Sequence, residues 1–103
     1  MIFINIIRSY RDVVAVCDSS ILGKKFEESF GDSIRQLDVK ESFYKGEEVS
    51  KERAIEIMKK MLREDATFNI VGRESVHAAI SAGVISEESV GQIQGIPFAL
   101  VLL

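Results

Sequence analysis

Few residues in this chain could do covalent chemistry. It holds one cysteine, Cys17, and one histidine, His77. A nucleophilic thiol needs a neighbouring base that lowers its pKa, usually an imidazole. Cys17 and Asp18 end the apolar run Val13-Val14-Ala15-Val16-Cys17, and α/β proteins often place functional groups at such strand ends. A free cysteine also packs as a small hydrophobe. His77 borders the apolar side of a helix, where packing accounts for it without catalysis. No residue is therefore assigned as catalytic. One Cys and one His cannot fill the usual zinc ligand set. The acidic pairs Glu27-Glu28, Glu47-Glu48, Glu64-Asp65 and Glu87-Glu88 match no calcium-loop spacing. No metal and no cofactor are expected.

Binding chemistry has more candidates. Ile70-Val71-Gly72-Arg73-Glu74 reads as a strand entering a helix through a glycine. A helix start presents unpaired N–H groups and partial positive charge, which suits an anion, and Arg73 could add a forked donor. A single glycine can equally serve a tight turn. Asp18 or Asn69 could sit beside this junction. Phe43-Tyr44-Lys45 sets an aromatic pair against a cation, a pattern that can stack on RNA bases while the lysine holds phosphate. The same pair fits a hydrophobic plug over the sheet better. With Lys24, the candidate ligand-binding residues are Asp18, Lys24, Tyr44, Lys45, Asn69, Gly72 and Arg73.

The elements that must position them alternate in type. Ile2 to Ile7 and Val13 to Cys17 read as two strands of a hairpin. Asp18-Ser19-Ser20 carries helix-start side chains, so a short helix is expected there, with Ile21, Leu22 and Phe26 inward. Gly31-Asp32 is a turn, and Ile34 to Val39 a strand. Glu41 to Glu48 is a polar stretch that Gly46 turns. Ser50 caps the clearest helix, with Ala54, Ile55, Met58, Met61 and Leu62 in one apolar stripe. Phe68 to Val71 is a strand, and Glu74 to Ala82 a helix ending at Gly83. Gly91 to Gln94 and Ile96 to Leu103 are strands around Gly95, with Pro97 at an edge or strand start. The expected fold is α/β (α+β): a single small domain over 1–103, with about three helices on a mixed sheet.

Composition narrows the function class. The chain has 103 residues, 47% hydrophobic and 28% charged, with a formal charge of −3. Broad non-specific nucleic-acid binding runs on excess Lys and Arg, which this chain lacks. A lone thiol forms no internal disulfide. No apolar stretch approaches membrane-helix length and no leader pattern is visible, so a cytoplasmic location is expected. Phe98 to Leu103 is uninterruptedly apolar, which points to burial in the sheet or to a homodimer through the C-terminal strand.

Several short patterns fall in a recognisable order. They are Ala15-Val16-Cys17-Asp18, Leu22-Gly23-Lys24-Lys25-Phe26, Glu41-Ser42-Phe43-Tyr44-Lys45-Gly46-Glu47, Asn69-Ile70-Val71-Gly72-Arg73-Glu74, Ala82-Gly83-Val84-Ile85 and Gly95-Ile96-Pro97. On them the chain resembles an archaeal domain-of-unknown-function family, number four-two-four, over nearly its whole length. The resemblance implies an archaeal, cytoplasmic protein and carries no activity with it. In that family's pattern a histidine often follows the proline; here that position is Phe98, so a role for that histidine would not transfer.

Two function readings follow. The first is a non-enzymatic interaction module for a protein or RNA partner, with the ribosome one setting. The second is a protein or enzyme that takes a small phosphorylated ligand at the Gly72-Arg73 helix start.

Overall fold

The computed structural model describes residues 1–102. Its centre is a hairpin of β1 (Ile2–Ile7) and β2 (Val13–Asp18), paired in register from Ile2 with Asp18 to Ile7 with Val13. β-Branched side chains fill both strands and favour the pleated backbone. Strand β6 (Thr67–Val71) lies parallel to β2, and β8 (Ile96–Val101) runs antiparallel to β6. Two short strands complete the sheet, β5 (Glu47–Val49) beside β1 and β7 (Gly91–Ile93) beside β8. The strand order is β5-β1-β2-β6-β8-β7.

Successive side chains alternate between the faces of a strand, and each face has its own core. Ile2, Ile4, Val14, Val16, Phe68 and Ile70 point to one face. Helices α2 (Lys51–Arg63) and α3 (Arg73–Ser81) cover it with Ala54, Met58, Met61, Val76 and Ala79. Ser50 caps α2, its side chain accepting from Arg53 N at 3.1 Å. Helix α3 ends at Gly83, whose φ of 78° is the left-handed conformation such an end requires.

Ala15, Cys17 and Val71 point to the other face, where they meet Val39 and Tyr44. The cover here is lighter. It consists of the one-turn helix α1 (Glu41–Tyr44) and a separate two-stranded hairpin, β3 (Lys25–Phe30) with β4 (Ser33–Asp38). Phe26 and Leu37 face each other across that hairpin and pack inward. Its base is tied by Gly23 N donating to the Val39 carbonyl and Val39 N to the Lys24 carbonyl. On its far side, Gln94 N donates to Glu28 Oε1 at 3.2 Å.

The α+β architecture, a mixed sheet with three helices, agrees with the expectation. Three local readings change. The helix expected after Asp18 is a 3-10 turn over Ser19–Ile21, and Phe26 belongs to strand β3. Gly23 (φ 82°) breaks the chain direction at that point. The polar stretch from Glu41 holds both α1 and β5. Leu62 is exposed on α2, while Ile57 packs toward the core. Pro97 sits second in a strand that has neighbours on both sides. Its carbonyl accepts from Gly72 N beyond the end of β6, and the Gly72 carbonyl, which a donor at position 97 would have met, accepts from Val76 N at the start of α3 instead. No helix among the described residues is long and apolar enough to cross a membrane.

Candidate functional site

The strand–glycine–helix junction is occupied from within. Asp18 ends β2 beside the start of α3, where it is buried. Its Oδ2 accepts from Glu74 N at 3.1 Å, and its Oδ1 from Ser75 N at 2.8 Å and Ser75 Oγ at 2.7 Å. Gly72 has no side chain with which to cap the helix, so a carboxylate from another strand does it. Gly72 itself has a φ of 110°, and a Cβ there would stand 2.4 Å from Asp18 Cγ. The donors that a phosphate would use are thus taken by Asp18. Arg73 projects from this end into solvent.

Cys17 and His77 lie on opposite sides of the sheet. Cys17 is fully buried beside Tyr44, whereas His77 is exposed on α3. Burial, reinforced by the Asp18 carboxylate, pushes the Cys17 thiol up to about 12. A thiol so held is a packing group at neutral pH. Tyr44 is also pushed up to about 12, by burial first and then by Cys17 and Asp38. Phe43 meets Tyr44 edge-on, with ring centroids 5.0 Å apart. The pair therefore plugs the second face over β1 and β2.

The plug stops short of β6 and β8. Between it, the β4 strand and the sheet lies a cleft of about 160 Å³. Asn69, Val71, Phe98 and Leu100 supply the sheet side, Gln36 and Leu37 the hairpin, and Tyr44 the end wall. The lining residues carry no charge. Phe98 is held in place from behind, since its ring packs on Gly91, where a Cβ would stand 2.9 Å from Phe98 Cζ. Tyr44 is 7% exposed, and its hydroxyl makes no hydrogen bond to a described residue. The half-buried Asn69 amide is likewise free of described partners, and neither group is sealed from solvent. Two unpaired neutral polar groups on an apolar wall are the usual makings of a small binding site.

Comparison with known proteins gives a family and a fold. The family model described as "Protein of unknown function (DUF424)" matches residues 7–103. The chain belongs to this family. A crystal structure of an uncharacterized conserved protein from Methanopyrus kandleri has a TM-score of 0.83 at 24% identity. The match covers 97% of this chain and 89% of that one. No curated protein matches.

In this DUF424 chain the candidate residues separate into groups. Asp18, Gly72 and Arg73 gather at the start of α3. Tyr44 and Asn69 share the cleft. Lys24 and Lys45 are exposed outside its lining, at the foot of the hairpin and after α1. Sequence reasoning missed Gln36, Leu37, Phe98 and Leu100 as cleft residues. An uninterrupted apolar run such as Phe98–Leu103 has no two-residue alternation to say which side chains face out. Phe98, which follows Pro97 in β8, lines the cleft with a hydrocarbon ring.

Proposed function

We propose that this protein is a non-enzymatic interaction module that engages its partner through the cleft face of the sheet. The observation that carries this reading is the cleft itself, in which unpaired Asn69 and Tyr44 stand in a neutral apolar wall. Beside it Leu100 is 55% exposed and Leu102 73% exposed. Exposed apolar side chains gathered beside a cleft are a feature of contact surfaces. The reading places the protein in the cytoplasm, supported by its free buried thiol. The archaeal crystal-structure neighbour supports an archaeal source.

The test is a photo-reactive amino acid placed at Leu100 in one variant and at His77 in another, irradiated in the protein's own cells. Defined adducts from position 100 and none from position 77 are expected. Nuclease treatment before separation shows whether the adduct is RNA or protein. Equal labelling from both positions, or none from position 100, removes the cleft face from consideration.

A second reading, a homodimer through β8, has its own observation. Gly72 N donates to the Pro97 carbonyl, so alternate residues Ala99 and Val101 turn their backbone groups toward β6. Leu100 turns its own to the opposite edge. Strand β7 pairs with β8 only as far as Phe98, which leaves the Leu100 N–H and C=O without a strand partner. Two copies joined antiparallel at Leu100 would satisfy both. Light scattering at micromolar concentration decides this, since a monomer mass excludes it.

A further inference from the structure

We infer that the cleft between β4, α1 and the β6–β8 face is a binding site for one neutral, planar heterocycle of the nucleobase class. The inference rests on the cleft being the working surface of the protein. Size is the first argument. The cleft, open on one side, has a volume of about 160 Å³, and a closed cavity of about 150 Å³ holds one benzene ring. One ring system fits, and a second would stand outside.

Charge is the second argument. Gln36, Tyr44 and Asn69 are the polar lining residues, all neutral, and the remaining lining is hydrocarbon. A phosphate or carboxylate drawn into this space would lose its water without gaining a counter-charge. A neutral ring bearing its own donors and acceptors loses less and regains hydrogen bonds.

Hydrogen-bonding pattern is the third. An asparagine amide carries a donor and an acceptor side by side, which matches the paired donor and acceptor on a base edge. The Asn69 amide is unpartnered among the described residues and rises from the middle of a sheet strand, which fixes its position. Tyr44 adds a hydroxyl from the end wall, and the Phe98 ring offers an aromatic surface to a base. Outside the cleft, Lys40 and Lys45 flank the helix that carries Tyr44, both exposed, with Lys40 Nζ 4.0 Å from Asp38 Oδ2. They would meet the sugar-phosphate of a strand whose base is inserted, while a free base or nucleoside would use the cleft alone.

The experiment titrates the intact isotope-labelled protein with the four ribonucleosides and, separately, with short single-stranded oligoribonucleotides. The readout is the Asn69 side-chain amide and the Leu100 backbone resonance. Saturable shifts at both are expected for at least one nucleoside or oligonucleotide. Shifts with nucleosides identify a free base as sufficient; shifts with oligonucleotides alone identify the RNA strand as the source. Asn69→Leu is expected to weaken binding at least about tenfold, and Tyr44→Phe, which removes only the hydroxyl, to weaken it less. Thermal melts of both variants show whether they are folded, and a misfolded Asn69→Leu passes the decision to Tyr44→Phe.

Nucleosides and oligonucleotides that leave the Asn69 resonances unmoved at millimolar concentration overturn the inference. So does binding that Asn69→Leu and Tyr44→Phe leave unchanged. Saturation of the cleft by an apolar peptide in place of any base overturns it too, while leaving the interaction-module reading intact. The photo-crosslink at Leu100 reports on that reading independently.

Discussion

Asp18 Oδ1 accepts two hydrogen bonds from Ser75, one from its backbone N–H at 2.8 Å and one from its hydroxyl at 2.7 Å. The end of β2 and the start of α3 are locked by this carboxylate. Asp18→Ala would leave buried donors unpaired, which typically costs about 1–3 kcal/mol. Urea denaturation is the measurement, and an unchanged midpoint would show the cap to be dispensable.

The same lock separates two glycines. Gly72→Ala meets both a strained φ of 110° and the Asp18 carboxylate, so a loss of about 3 kcal/mol or more is expected. Gly83→Ala has a comparable φ of 78° but open space around it, so only the backbone cost of about 1 kcal/mol remains. Equal melting temperatures for the two variants would contradict the close approach at Gly72.

Cys17 should be inert toward disulfide reagents at neutral pH in the folded protein and react at once in denaturant. Its labelling rate should follow global opening, because the thiol is fully buried. Rapid labelling without denaturant would place the thiol at a surface.

Stability should fall as pH rises through and above about 9. Cys17 moves from 9.0 in the unfolded chain to about 12 in the fold, and Tyr44 from 10.0 to about 12. Both groups are neutral when protonated. Above pH 9 the unfolded chain therefore releases its protons first and is favoured. The loss spans pH 9 to about 12 for Cys17 and 10 to about 12 for Tyr44. Cys17→Ala should delay the decline toward pH 10, as seen in thermal melts across the alkaline range. A decline that begins at the same pH in the variant would assign the effect elsewhere.

Leu100→Lys alters an exposed side chain, so stability should shift by no more than about 0.5 kcal/mol. The same change should abolish any dimer formed through β8. A dimer mass that survives it would move the interface away from this edge.

Much of the fold was legible in local signals. Ser50 and the stripe Ala54, Met58 and Met61 announce α2, because a cap and a helical period act over a few residues. The isoleucine-rich start and the run at Val13 announce β1 and β2 for a similar reason. The Lys25–Phe30 strand was harder to see, because Asp18-Ser19-Ser20 signals a helix start just before it. The chain answers that signal with a 3-10 turn and then pairs β3 with β4, an outcome set by the contacts of Phe26 and Leu37 with the second core.

The candidate site divides along the same line. Residue type alone marked Tyr44 and Asn69 as groups able to hold a ligand, and Asp18, Gly72 and Arg73 as a second set. Only the tertiary structure decided that Asp18 serves α3, since its partners stand 56 and 57 residues away along the chain. Only the tertiary structure brought Gln36, Tyr44, Asn69 and Phe98 around one cleft. Capping, helical period and β-branching are properties of neighbours in sequence, so the sequence determines the elements. A cleft is a property of how elements cover one another, and that is settled by the packing of two cores on one sheet.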